Sequence, residues 1–150
     1  MTYTLTNMTT LGTVRSENIT KDAQLFQMPM PESDSIDTIV LDLFGVARTI
    51  KIEGIYVPTT NNEFGISGGT WATYTNDQKI RANIEMFIYQ LDALVNGVQV
   101  SRTYHSDKSG GVYKTGNYKV IIMNENWKHS EGEVNKLDYS IDMQECAEVV

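Results

Sequence analysis

Two histidines, His105 and His129, ordinarily titrate near neutrality, which makes them the first candidates for acid–base chemistry or metal ligation in this chain of 150 residues. Neither has a second histidine or a cysteine at ligand spacing, and both lie in or beside polar stretches where they read as solvated. His129-Ser130-Glu131 sets a base, a hydroxyl and a carboxylate side by side, but no orienting partner or apolar pocket is legible around them. The carboxylate pairs Asp34/Asp37 and Glu131/Glu133 lack the Gly and Asn spacing of a calcium loop. Gly65-Ile66-Ser67-Gly68 misses the spacing of a nucleophile elbow, and there is no phosphate loop or dinucleotide fingerprint. Cys146 is the only cysteine, so an intrachain disulfide and a cysteine metal cluster are excluded, and a reducing site of synthesis fits. The expectation is a chain with no catalytic, cofactor-binding or metal-binding residues, and hence no enzyme.

Aromatic side chains offer a different chemistry. Trp71, Tyr74, Tyr104, Tyr113, Tyr118 and Trp127 fall in or near loops, whereas the strand registers of Tyr118 and Tyr139 point to the core. Exposed Trp and Tyr anchor protein interfaces or stack on sugar rings. Phe64, Trp71, Tyr74 and Trp127 are accordingly the candidate assembly contacts. The net charge of −7 speaks against holding a nucleic-acid backbone by phosphate neutralisation. Residues 1–75 carry four basic and eight acidic side chains and residues 76–150 carry eight and eleven, so the acidity forms no tail.

One strongly amphipathic helix must position whatever the loops present. In residues 75–97, Ile80, Ile84, Phe87, Ile88, Leu91, Leu94 and Val95 recur at steps of three and four and share a face. Thr75 with Gln78 fits a capping box, and Asn96-Gly97 is a natural stop. The rest reads as strands. IDTIVLDLFG and RTIKIEGIYV look like a hairpin turning near Gly45-Val46-Ala47, and Gly54 suggests a bulge or a close backbone approach. Residues 58–74 read as a long Gly-rich loop, VQVSRTY and NYKVIIM as strands, and SDKSGGVYKTGN and NENWKHSEGEVN as connections. In the last strand Leu137, Tyr139, Ile141 and Met143 alternate with polar residues. Glu32-Ser33-Asp34-Ser35 reads as a turn. The fold expected is mainly β (α+β), an antiparallel β-sandwich or split barrel with one amphipathic helix packed against it. Residues 1–150 are expected to form one domain, with 1–35 a partly extended N-terminal arm. No apolar run reaches the roughly 20 residues of a membrane span, and the N-terminus lacks the pattern of a secretory signal.

This order of elements resembles the tail-tube-like fold family of tailed phages and contractile injection systems, which includes tail tube, tail completion, distal tail and baseplate hub proteins. The resemblance covers about 100 residues from Ile36 onward. It rests on an R-x-I-x-I-x-G strand beginning at Arg48, the single helix, a Y-x-V-x-I strand (Tyr118, Val120, Ile122) and a closing Y-x-I-x-x-x-E strand (Tyr139, Ile141, Glu145). The segment 59–74 is longer and richer in glycine than a minimal version, and residues 1–35 have no counterpart. The resemblance implies a ring-forming structural subunit of a tail tube or tail-tip/baseplate, resident in the virion and assembled in the host cytoplasm. Its partners would be further copies of the chain and other tail or baseplate proteins. Edge strands, loops and the arm would make the contacts, and DNA would pass through a lumen without specific binding. The alternative is a small β-sandwich carbohydrate- or protein-binding module using Trp71, Tyr74 and Trp127.

Overall fold

Leu137, Tyr139, Ile141 and Met143 are all buried, and the polar residues between them are half-buried, as the alternation of the last strand requires. The computed structural model describes residues 3–29, 38–96, 100–107, 116–129 and 135–146, with backbone alone for 22–29 and 38–47. Six strands and two helices follow in the order β1 (Thr4–Leu5), β2 (Thr13–Pro29), β3 (Thr38–Tyr56), α1 (Gly68–Thr73), α2 (Asn76–Leu94), β4 (Arg102–His105), β5 (Asn117–Lys128) and β6 (Leu137–Glu145). The strands form one antiparallel sheet in the order β1-β4-β5-β6-β3-β2, curled into a half-barrel.

Helix α2 lies across the concave face. Its start is the expected capping box: the Gln78 amide donates to Thr75 Oγ1 at 3.3 Å, and the Thr75 amide donates to Gln78 Oε1 at 2.9 Å. Ile84, Phe87, Leu91 and Leu94 are buried, Ile80 and Ile88 pack partly against the core, and Val95 just beyond the helix is exposed. Phe87 is the centre of the contact, stacked on Tyr56 at 4.5 Å and edge-on to Tyr139 at 5.3 Å. Ile50 and Ile52 of β3 and Val120 and Ile122 of β5 complete the floor beneath it.

Four local expectations change. The chain does not turn near Gly45: β3 runs unbroken through it, and the hairpin partner is β2. Gly45 instead falls at a register irregularity, between the pairs Ala23↔Val46 and Leu25↔Asp42, so its glycine marks a bulge. Residues 58–74 contain the short helix α1, so the protein has two helices among its described residues. Strand β5 continues through Asn124–Lys128, where the polar composition suggested a turn. A bulge at Met123 explains this, because it shifts the alternation and sets Trp127 opposite Tyr139. Of VQVSRTY, only Arg102, Thr103 and Tyr104 lie in a strand among the described residues, as the first three residues of β4.

Gly54 meets both of its expectations. The register slips between Val14 and Ser16 beside it, and a Cβ there would stand 2.7 Å from both the Thr13 carbonyl oxygen and Tyr139 Oη. The Glu32–Ser35 turn, Tyr113 and the carboxylate pairs Asp34/Asp37 and Glu131/Glu133 lie outside the described residues, as do Ser130 and most of the connection after Asp107.

Candidate functional site

Strand β3 pairs with β6 only from Thr49 to Tyr56, while β2 follows β3 from Thr13 as far as Pro29↔Thr38. Beyond Lys21↔Arg48 the sheet is therefore reduced to a two-stranded ribbon. Eight residues of further rise at about 3.3 Å each carry it roughly 25 Å past the rest of the sheet. Both outer edges of this ribbon are unpaired among the described residues. Two strands alone are marginally stable in water, and open edges are templates for another chain. The sequence of the ribbon, AQLFQM on one strand and IVLDLFGV on the other, has the nearly continuous apolar run of strands buried on both faces.

At the opposite ends of β3 and β5 lie the candidate contact residues. Phe64 is half-buried, edge-on to Tyr56 at 6.0 Å, in a loop held down by several polar contacts. Asn83 Nδ2 donates to the Thr59 and Asn61 carbonyls at 2.9 Å each, and Asn62 exchanges two bonds with the Ile66 backbone at 2.6 and 2.8 Å. The Tyr56 hydroxyl donates to Glu63. Trp71 within α1 and Tyr74 just after it form an edge pair at 6.1 Å, with Lys79 Nζ 5.7 Å from the Trp71 ring centre. Trp127 stands on β5, 40% exposed and without a ring partner among the described residues. The fold thus brings Trp71 and Tyr74 together, fastens Phe64 to the core and leaves Trp127 on a separate strand.

Sequence reasoning missed Glu17. On β2 it accepts hydrogen bonds from the Tyr104 hydroxyl of β4 and, at 2.9 Å, from Ser106 Oγ. Burial first, and then the bond to Glu17, push the Tyr104 hydroxyl well above the ordinary tyrosine range. The Tyr139 hydroxyl likewise donates to the Leu11 carbonyl, tying β6 to the segment before β2. No periodic pattern marked Glu17, because its partners come from the far end of the sheet.

Among the described residues the two histidines do not come together in an acid–base constellation. His105 Nδ1 lies 2.7 Å from Asn117 Oδ1 and His129 is exposed. A trough of about 410 Å³ on the outer sheet face is lined by residues including Arg15, Glu53, Lys128, Asp138 and Ser140, a mixed-charge surface. Among the described residues no group of three or more His, Cys, Asp or Glu could hold a metal ion. No described helix is long and apolar enough to cross a membrane.

No family model matches the chain, and no curated protein matches it. Solved structures do. A chain from the tail of an empty gene transfer agent particle, solved with C6 symmetry, is 14% identical with a TM-score of 0.44, covering 92% of this chain and 81% of that one. A chain of the native gene transfer agent virion is 15% identical with a TM-score of 0.43, covering 94% and 88%. The Dit protein of phage SPP1, from the hub adsorption apparatus of phages infecting Gram-positive bacteria, is 14% identical with a TM-score of 0.49. The match takes in 97% of this chain but spans half of Dit. These neighbours are tail, virion and hub structures.

Proposed function

We propose that the protein is a non-enzymatic structural subunit of a phage-like tail, a tail tube or tail-tip/baseplate ring component that assembles with copies of itself and with other tail proteins in the virion. The observation that carries this is the β2–β3 ribbon, which extends past the sheet with both backbone edges unpaired among the described residues. A neighbouring copy adding its own strands there would satisfy the free amides and carbonyls and cover the apolar run. Repeated head to tail, such a contact closes into a ring. Residues 1–150 then act as one domain; of the N-terminal 1–35, the part up to Lys21 is built into the sheet and core, and the part beyond it serves as the assembly arm. Phe64, Trp71, Tyr74 and Trp127 supply further contacts at the other end of the strands. DNA crossing the lumen without specific binding is the last part of the proposal, supported by the net charge of −7.

The test exploits the register. Lys21 and Arg48 face each other, so residues 22–47 can be replaced by Asn-Gly, the two-residue turn that suits such a pair. Wild-type protein is expected to form rings or tubes in light scattering and negative-stain images as concentration rises, and the shortened chain to stay folded and monomeric. A shortened chain that assembles like the wild type would remove the basis for the proposal.

A further inference from the structure

Strand β5 is flanked on both sides for only part of its length. Its pairing with β4 ends at Arg102↔Val120, while its pairing with β6 goes on to Lys128↔Asp138. From Ile121 to Lys128 its outer edge therefore faces no strand among the described residues. One bond fixes which backbone groups point that way. The Cys146 amide donates to the Lys119 carbonyl at 2.9 Å, so Gln144, Asp142, Ser140 and Asp138, at steps of two along β6, also turn their amides and carbonyls toward β5. They stand opposite Ile121, Asn124, Asn126 and Lys128. Glu125 and Trp127 fall between these and turn theirs outward. Met123, at the bulge, and Trp127 add exposed apolar side chains along the same stretch.

An open edge of this kind is a template for a strand from outside. Three relations say which strand. The β2 arm of the ribbon beyond Lys21, Asp22–Pro29, is eight residues long, and so is Ile121–Lys128. Strand β6 is flanked by β3 and β5, β4 has four residues and is covered by β1, and β1 has two. Outside β2 and β3, then, β5 offers the one edge of that length among the described residues. The ribbon of the same copy cannot reach it. The free stretch of β5 runs beside rows Thr49 to Ile55 of β3, with β6 between, whereas the ribbon starts at Arg48 and leads away. A second copy displaced along the strands by the length of the ribbon, roughly 25 Å, brings ribbon and edge side by side.

We propose that the outer edge of β5, Ile121–Lys128, receives the ribbon of a neighbouring copy of this chain, whose β2 strand pairs with it. The inference rests on the assembly role proposed above and names the surface on which the ribbon lands. The amides and carbonyls of Glu125 and Trp127 bond to the incoming strand, and the Met123 and Trp127 side chains cover part of its apolar run. The contact joins two different surfaces, so every added copy brings a fresh ribbon and a fresh edge.

The shortened chain, with Asn-Gly in place of residues 22–47, lacks the ribbon and keeps the β5 edge, which makes it the probe. Mixed with wild type in equal amounts, it is expected to dock on free ribbons, offer none itself and stop growth, so that light scattering falls by roughly threefold or more. The same shortened chain with Trp127→Pro is expected to leave the scattering of the wild type unchanged. Proline removes the outward amide, a change that an edge strand accepts. Equal inhibition by both chains overturns the inference, as does a shortened chain that stays monomeric without slowing the wild type. The assembly role survives either result. Wild type that never assembles, or a shortened chain that assembles like it, overturns that role and this edge together. Should the Trp127→Pro chain fail to fold, hydrogen exchange on the wild type decides. The Trp127 amide is expected to exchange at least tenfold more slowly in the assembly than in the shortened monomer, and equal rates overturn the inference.

Discussion

Glu17 of β2 accepts a hydrogen bond from the hydroxyl of Tyr104 in β4, although β5, β6 and β3 lie between those two strands in the sheet. Only a sheet curled back on itself brings them together. Tyr104→Phe keeps the buried ring and removes the bond, leaving the Glu17 carboxylate with Ser106 as its remaining hydroxyl donor among these two. The expected cost is about 1–3 kcal/mol, since an acceptor on the concave side loses a partner. Urea denaturation measures it. A midpoint unchanged from wild type would show that the bond does not hold the curl.

Alkaline pH should unfold the protein. Burial, foremost in each case, raises the hydroxyl pKa values of Tyr56, Tyr104 and Tyr139 above the ordinary value of 10.0, with Glu63 and Glu17 adding to the first two. A raised folded-state pKa contributes stability that is fully present below the unfolded value and is lost as pH rises beyond it. Melting temperatures are therefore expected to hold up to about pH 10 and to fall steeply above it. Phenolate absorbance should rise together with the loss of folded signal. Full titration of all eight tyrosines in a chain that is still folded would contradict this.

Glu125 is a carboxylate in an unfavourable place. One of its oxygens is shielded without a partner, and burial followed by the charge of Asp92 raises its pKa. Its protonated form is favoured in the fold, so its contribution is present below the ordinary carboxylate range and lost as pH rises through the raised value. Glu125→Gln should therefore stabilise the protein at pH 7, by roughly 0.5–1 kcal/mol given solvent screening, and bring no gain at pH 3. Thermal melts of the variant at the two pH values settle the sign.

Gly54 should not accept a side chain. A Cβ there meets the Thr13 carbonyl and the Tyr139 hydroxyl, each at 2.7 Å, and Tyr139 is itself fastened to the Leu11 carbonyl. Gly54→Ala is expected to cost about 1–3 kcal/mol, as overpacking in a filled interior does. Guanidinium unfolding would show it, and a wild-type midpoint would mean that β2 gives way at its bulge.

Of the proposed contacts, Trp127 is the cleanest to alter, being 40% exposed and outside every described ring pair. Trp127→Ala should leave the monomer's unfolding free energy within about 0.5 kcal/mol of wild type, as surface changes do. Assembly measured by light scattering should weaken. Assembly at the wild-type concentration would remove Trp127 from the interface.

Helix α2, its capping box and strand β6 were legible in the residues, because each depends on a period of 3.6 or 2 or on side chains three positions apart. A mainly β fold with a helix laid on the sheet followed from the same patterns. Gly45 and Met123 show where such patterns end. A bulge inserts residues into the alternation, so the sequence by itself suggested a turn at the first and missed a strand after the second. Pairing of β2 with β3 and the curl that joins Glu17 to Tyr104 are decided by tertiary structure alone. Each depends on which distant segment lies opposite, and no local periodicity encodes the neighbour across a curled sheet.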